Sequence, residues 1–174
     1  PKEKHLLEKF LFGVESGKPG VENGKLNPDV AGMSASWIAE KSGFKVPEGT
    51  SIIGVELDKV GPEEPLSREK LSPVLGFYKV KDAKEGFALA EAMLEFGGLG
   101  HSAAIHCKEQ AMADEFGHDV KALRVIWNSP STFGGIGNVY NSFLPSLTLG
   151  CGSYGHNSVG GNVSAINLLN IKKV

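Results

Sequence analysis

Apolar and polar positions along the chain follow two different periods, and these periods predict a succession of helices and strands. In 2–12, KEKHLLEKFLF, apolar residues recur at helical spacing, and Gly13 is a typical helix stop. The stretch 51–57, SIIGVEL, alternates β-branched and polar positions and predicts a strand. Glycine, asparagine and charged residues dominate 15–26, which is predicted to be an exposed loop.

A second helix is predicted between this loop and the strand, over 28–42. Asn27 precedes Pro28, the arrangement of an N-cap followed by proline at the first helical position. Apolar residues then recur at helical spacing, and Gly43 follows where a left-handed residue often ends a helix.

The second half of the chain predicts alternating strands and helices. Asp82 with Glu85 forms a variant of the capping box at the start of a helix that the glycines of GGLG end. From Ser129 onward the chain is predicted to be loop-like. The predicted order is strand, helix, strand, helix, strand over 73–80, 83–96, 101–107, 108–120 and 122–128. This rhythm predicts right-handed crossovers and an α/β fold with a parallel sheet.

Composition limits the class of protein. With 174 residues and 41% hydrophobic content, the chain can bury a core. We expect it to form one domain or part of a larger one. Two cysteines are too few for a disulfide scaffold and fit a reducing compartment. There is no run of about 18 apolar residues and no signal-peptide pattern, so we expect a soluble, cytoplasmic protein without membrane partners.

Charge is unevenly distributed. The formal net charge of −2 argues against a nucleic-acid partner. Residues 1–119 hold all 20 acids and 14 of the 18 bases, whereas 120–174 hold four bases and no acid. Two interpretations stay open: a Gly/Asn-rich tail packed against other protein, or the wall of a pocket for an anionic ligand.

The stretch LTLGCGSYGHNS contains a G-x-G-x-x-G pattern, formed by Gly150, Gly152 and Gly155. A dinucleotide-binding loop needs a strand before it, a helix after it and an acidic residue about 20 positions later. No Asp or Glu follows Asp119, and GHNSVGGNVS is a poor helix start. We therefore expect these three glycines to have a role other than dinucleotide binding.

Candidate reactive side chains are few. His101 begins a strand and is either a catalytic group or a hydrogen-bonded structural histidine. Glu69 precedes a buried strand and is either a binding carboxylate or a solvated one. Cys107 and Cys151 are interpreted as packing residues, because neither has an evident base or cationic partner. The remaining histidines lack metal-ligand spacing with the cysteines, so no metal site is predicted; they are His5, His106, His118 and His156.

Four ordered motifs carry a resemblance to a known family. They are REKLSPVL, GGLGHSAAIH, RVIWNSPSTFGGIG and PSLTLGCGSYGHNS, and the resemblance spans nearly all of the chain. Together they resemble the coenzyme-A-acylating aldehyde dehydrogenases, in particular the acetaldehyde dehydrogenase half of the bifunctional aldehyde–alcohol dehydrogenases. The resemblance implies a three-layer parallel-sheet aldehyde dehydrogenase catalytic domain, of which 1–174 would be the later part. The segment after about 160 would lead to a linker or an oligomerisation tail.

The family's chemistry is covalent, and the resemblance implies it here. A cysteine expected upstream of this chain would add to a short aldehyde such as acetaldehyde, NAD would take the hydride, and coenzyme A would take the acyl group. By resemblance, Glu69 matches the glutamate that binds the nicotinamide-side ribose. His101 matches a histidine near the nucleophile that assists thiol deprotonation or acyl transfer. Thr148, Leu149 and Gly150 match a loop that lines the aldehyde and acyl pocket.

Two function classes remain at this stage. The first is part of a reversible NAD-dependent acylating aldehyde dehydrogenase that acts on acetaldehyde or a similar short aldehyde and acyl-CoA, forms homo-oligomers such as dimers or filaments, and is inactive as this chain alone. The second is a non-catalytic α/β binding or assembly module.

Overall fold

A computed structural model describes residues 2–13 and 25–173. The chain divides into two compact units, Pro1–Lys81 and Asp82–Val174. The loop predicted over 15–26 lies, except for its last two residues, outside the described part of the chain.

The described part of the first unit contains two α-helices and two strands, besides two 3₁₀-helices. Helix α1 spans Lys2–Phe12 and ends at Gly13, whose φ of 65° is left-handed, as the sequence predicted. Helix α2 spans Ala35–Ser42, strand β1 spans Ile53–Glu56, and strand β2 spans Val74–Phe77.

The single helix predicted over 28–42 is wrong in one respect. Asn27 does cap a helical turn, accepting a hydrogen bond from the Asp29 N–H at 3.0 Å, but that turn is a 3₁₀-helix ending at Val30. Gly32 follows with a φ of 76°, which breaks the helix, and the Ser34 hydroxyl then caps α2. The apolar period continues across the break, so periodicity alone did not reveal it.

Strands β1 and β2 are parallel, with Ile53 opposite Val74 and Glu56 opposite Phe77. Apolar side chains from α1, α2, both strands and the 3₁₀-helix Pro65–Ser67 pack into one core. Its largest fully buried side chains are Leu7, Leu11, Val30, Ile38 and Leu66.

The second unit begins with alternating α-helices and strands. Helix α3 spans Ala83–Gly97, strand β3 spans Gly100–Ile105, helix α4 spans Gln110–Asp119, and strand β4 spans Ala122–Trp127. Strands β3 and β4 are parallel, with Gly100 opposite Ala122. A small core of Leu94, Phe116, Val120 and Ala122 lies between the helices and this pair of strands.

The predicted α/β class with parallel strands is confirmed, and the Asp82 carboxylate caps α3 by accepting the Glu85 N–H at 2.9 Å. The described strands form two separate two-stranded sheets, because β2 pairs with β1 and β3 pairs with β4.

The expectation of loops after Ser129 is wrong for helix α5, which spans Ser131–Ile136, and two 3₁₀-helices follow it at Asn138–Tyr140 and Ala165–Leu168. Two glycines in the α5 sequence made a helix improbable. A Cβ on Gly134 would lie 2.5 Å from the Ile126 side chain, so glycine is what lets this helix pack closely on β4. Tertiary packing therefore outweighs local helix propensity.

Among the helices of the described residues, none has the length and apolar composition that crossing a membrane requires.

Candidate functional site

Glu69 lies in the first unit, on an exposed segment between the 3₁₀-helix Pro65–Ser67 and β2. Its neighbour Lys70 fixes that segment, because the Lys70 ammonium donates to the carbonyls of Leu66 at 2.6 Å and Arg68 at 2.8 Å. Burial lowers the pKa of Lys70, and the negative charge of Glu64 partly opposes this shift. The fixed backbone leaves the Glu69 carboxylate at the surface.

The buried carboxylate of Glu64 stabilises the turn that precedes Glu69. Glu64 is 7% exposed and forms an ion pair with Lys4 of α1 through one oxygen, while its other oxygen has no partner within the described residues. The carbonyl of Glu64 also accepts a hydrogen bond from the Ser67 hydroxyl at 2.6 Å. The turn before Glu69 is therefore tied to α1 and to its own backbone.

His101 lies in the second unit, exposed on β3, and its Nδ1 is 3.1 Å from the Ser102 hydroxyl oxygen. The preceding Gly100 has a φ of 80°, and a Cβ there would lie 2.2 Å from the Cys151 carbonyl oxygen. Only glycine allows this approach. The motifs GGLGHS and LGCGSYG are therefore in direct backbone contact.

Arg124 of β4 joins His101 to the predicted pocket loop, and sequence reasoning gave it no role. The residue is 3% exposed, and its Nη2 donates to the carbonyl of His101 at 3.1 Å and to that of Gly150 at 2.6 Å. Its Nε donates to the Ser102 hydroxyl at 3.1 Å, while Nη1 has no partner among the described residues. Three neutral oxygens thus hold a buried cation.

The loop that carries Thr148, Leu149 and Gly150 pairs with a later segment of the chain. Val163 donates to the Thr148 carbonyl at 2.9 Å, Leu149 forms an antiparallel bridge with Asn162, and the Gly150 N–H donates to the Gly161 carbonyl at 2.9 Å. Thr148 is exposed, Leu149 is half-buried and Gly150 is buried. Side chains at the first two positions can therefore line a surface while the third anchors the loop.

The three glycines of the G-x-G-x-x-G pattern have structural reasons of their own. A Cβ on Gly150 would lie 2.1 Å from the Val159 carbonyl oxygen, and one on Gly155 would lie 2.3 Å from the Cys151 Cβ. Gly152 has a φ of 52°. Residues 152–156 form turns, and 157–161 are not helical, although a nucleotide-binding loop would begin a helix there. The glycines permit close packing of backbone on backbone.

The two cysteines differ in their surroundings. The Cys107 amide donates to the Asn128 side chain at 3.0 Å, and its carbonyl accepts from Trp127 Nε1 at 3.1 Å. The Cys151 amide donates to the Asn157 side-chain oxygen at 2.9 Å. Burial lowers the pKa of Arg124, and the negative charge of a Cys151 thiolate would raise it. No group of three or more metal-ligating side chains occurs within 2–13 and 25–173.

Curated relatives cover the chain from end to end. It is 62% identical over 99% of its length to an aldehyde-alcohol dehydrogenase of Streptococcus pneumoniae, and 53% identical over 99% to aldehyde-alcohol dehydrogenase 2 of Entamoeba histolytica. The chain is homologous to the aldehyde–alcohol dehydrogenases. It spans 20% of the length of each of these two relatives. No family model matches the chain.

Solved structures agree with this homology. An acetylating aldehyde dehydrogenase of Geobacillus thermoglucosidasius matches 99% of this chain with a TM-score of 0.87 and 39% identity, over 36% of its own length. A probable aldehyde dehydrogenase of Listeria monocytogenes matches 96% with a TM-score of 0.85 and 35% identity, over 35% of its own length. The fold of this aldehyde–alcohol dehydrogenase homologue is therefore that of a segment of acetylating aldehyde dehydrogenases.

The structure brings some predicted site residues together. His101 and Gly150 share Arg124 as a hydrogen-bond donor, and Thr148 and Leu149 belong to the same loop as Gly150. Glu69 belongs to the other unit. One sequence signal could have revealed Arg124: it occupies the buried face of a strand with Ala122 and Ile126, in a stretch without acids.

Proposed function

We propose that this chain supplies part of the active site of an NAD-dependent acylating aldehyde dehydrogenase, which converts acetaldehyde or a similar short aldehyde and coenzyme A to acyl-CoA, and the reverse. The observation that carries the proposal is the Arg124 junction. It ties the strand of His101 to the loop of Gly150, two segments whose motifs resemble those of acylating aldehyde dehydrogenases. Homology to the aldehyde–alcohol dehydrogenases supports the reaction class.

Glu69 is the residue we propose to bind the cofactor ribose. Its carboxylate is exposed on a backbone held by Lys70, so it is free to accept hydrogen bonds from two ribose hydroxyls. When bound, NAD would supply the hydride acceptor. The contribution of this chain is to orient the nicotinamide side of the cofactor through Glu69.

His101 is the residue we propose to act at the reacting acyl group. It is exposed at the start of β3, and its backbone carbonyl and its neighbour Ser102 are both bound to Arg124. A histidine held in this way can donate or accept a hydrogen bond at the reacting group. Thr148 and Leu149 would line the adjoining aldehyde pocket, which Gly150 anchors.

An exchange of segments tests the proposal. The homologous segment of the Streptococcus pneumoniae aldehyde-alcohol dehydrogenase is replaced by this chain, and coenzyme-A-dependent NADH formation from acetaldehyde is measured. We expect an active chimera, because the two segments are 62% identical. A folded and assembled chimera without this activity would contradict the proposal and favour the assembly module.

Three substitutions in the chimera assign the roles. Glu69→Gln removes a charge-assisted hydrogen bond and should raise the KM for NAD by about tenfold or more. His101→Ala should slow acyl transfer to coenzyme A by about 100-fold or more in single-turnover measurements, with little effect on NAD binding. Cys107→Ala is the control and should leave both steps unchanged.

A further inference from the structure

The Ser102 hydroxyl lies between two nitrogen atoms of different character. Its oxygen is 3.1 Å from Arg124 Nε and 3.1 Å from His101 Nδ1. A guanidinium nitrogen can only donate, whereas a neutral imidazole nitrogen either donates or accepts. The arginine therefore fixes the direction of its own hydrogen bond, and the direction of the bond to His101 depends on where the hydroxyl proton points.

Arg124 Nε–H donates to Ser102 Oγ, so this oxygen is an acceptor on that side. The hydroxyl still carries its own proton. Within the described part of the chain, His101 Nδ1 is the acceptor in hydrogen-bond range for that proton. Donation to Nδ1 requires that Nδ1 carry no hydrogen, and the neutral ring then holds its proton on Nε2.

The arginine cannot easily turn away from this arrangement. It is 3% exposed, and its Nη2 is bound to the carbonyls of His101 and Gly150. Its positive charge also polarises the hydroxyl that it binds, which makes the Ser102 O–H a stronger donor. Arg124 thus holds the buried end of the network in place. At the exposed end, the Ser102 hydroxyl donates its proton to His101.

We propose that Arg124, acting through Ser102, is a positioning residue that holds His101 in the neutral tautomer with the proton on Nε2. This proposal rests on the proposed function for its chemical consequence. In that tautomer His101 presents an N–H to the aldehyde or thioester oxygen, which gains negative charge during acyl transfer. Accepting a thiol proton at Nε2 would require the opposite tautomer and the loss of the Ser102 hydrogen bond.

Nitrogen-15 NMR of the full 174-residue chain tests the tautomer directly and without enzymatic activity. Long-range proton–nitrogen correlations at a pH where the rings are neutral show which nitrogen of His101 carries the proton. We expect Nε2–H to dominate, and Ser102→Ala to lower the ratio of Nε2–H to Nδ1–H by about fivefold, which corresponds to one hydrogen bond of about 1 kcal/mol. Ser102→Thr keeps the hydroxyl and should restore the ratio.

His106 and His118, both exposed, are internal references whose ratios should stay constant in every variant. Arg124→Lys should lower the His101 ratio, because lysine lacks the Nε–H donor. A proton on Nδ1 in the unsubstituted chain, or an unchanged ratio in Ser102→Ala, would overturn the proposal. A ratio that responds to Ser102→Ala but not to Arg124→Lys would overturn the role of the arginine. These results do not depend on whether the chimera is active.

Discussion

The first unit buries two carboxylates, Glu8 and Glu64, and the second buries one guanidinium, Arg124. Glu64 and Arg124 are stabilised in different ways. In the first unit, Glu64 is 7% exposed and forms an ion pair with Lys4. In the second unit, Arg124 is 3% exposed and is bound by two carbonyls and a hydroxyl, without an ion pair in the described part of the chain. A buried charge is costly unless it is paired or hydrogen-bonded.

The Lys4–Glu64 ion pair has a structural role, whereas the charge of Arg124, unpaired among the described residues, acts on the groups of the candidate site. The Lys4–Glu64 pair joins α1 to the turn before Glu69 and neutralises its own charge. Arg124 instead keeps its positive charge and directs it toward His101, Ser102 and Gly150. Residues 120–174 contain no acid, so this part of the second unit has no carboxylate of its own to neutralise the arginine. The positive charge of Arg124 therefore polarises the hydroxyl and the two carbonyls that it binds.

The largest expected effect comes from breaking the ion pair of the first unit. Lys4→Met keeps the apolar stem and leaves a buried carboxylate uncompensated, so we expect a loss of about 3 kcal/mol in the free energy of unfolding. Chemical denaturation measures it. The double variant Lys4→Met with Glu64→Gln should recover most of the loss. A double variant as unstable as the single one would show that the charge of Glu64 is not the cause.

The pocket loop of the second unit is expected to be sensitive to one methyl group. Gly150→Ala would place a Cβ 2.1 Å from the Val159 carbonyl oxygen, which is backbone and has little room to move. We expect a loss of about 2 kcal/mol in the free energy of unfolding. Gly161→Ala is the matched control, because a Cβ there has no atom within 4 Å. Equal losses at the two positions would mean that crowding at Gly150 is not responsible.

Replacing the buried arginine should cost less than breaking the buried ion pair. Arg124→Lys keeps the charge but loses part of the hydrogen-bond fork, and the groups that lose a hydrogen bond are neutral, so none of them is left with an uncompensated charge. We expect a loss of about 1–2 kcal/mol in the free energy of unfolding. A loss larger than that of Lys4→Met in the same denaturation experiment would contradict the distinction between the units.

The smallest expected effect concerns a surface cluster of the second unit. Partial burial would raise the pKa of Glu91, but hydrogen bonds from the side chain and backbone N–H of Lys121 outweigh it and lower this pKa. A carboxyl with a lowered pKa stabilises the fold above its ordinary pKa and loses that contribution as pH falls through the lowered value. Glu91→Gln should therefore reduce the loss of stability on acidification.

Thermal unfolding from neutral to acidic pH measures this change. Glu115→Gln on the exposed face of α4 is the control and should retain the acid dependence of the unsubstituted chain. If thermal stability fell with pH equally in Glu91→Gln and in the control, protonation of Glu91 would not be coupled to folding.

Several features followed from local sequence alone because local chemistry determines them. Asp82 was predicted as a helix cap, and its carboxylate binds the Glu85 N–H. Gly13 and Gly43 were predicted as helix ends, and both have left-handed backbone angles. The motif around Glu69, His101 and the 148–150 loop also indicated the family, and homology to aldehyde–alcohol dehydrogenases confirmed it. The roles of these site residues stay predictions.

Other features depended on contacts between distant residues, and only the tertiary structure decided them. Helix α5 forms although its sequence contains two glycines. It packs on β4, and Gly134 leaves the space that the Ile126 side chain needs. The break at Gly32 interrupts a helix whose apolar period continues. Arg124 acquires its importance from His101 and Gly150, which lie 23 and 26 residues away. Sequence thus determined several helix ends, the parallel α/β class and the homology to aldehyde–alcohol dehydrogenases. The packing of distant segments determined where the buried charge lies and which groups it binds, because hydrogen bonds and steric fit act between neighbours in space.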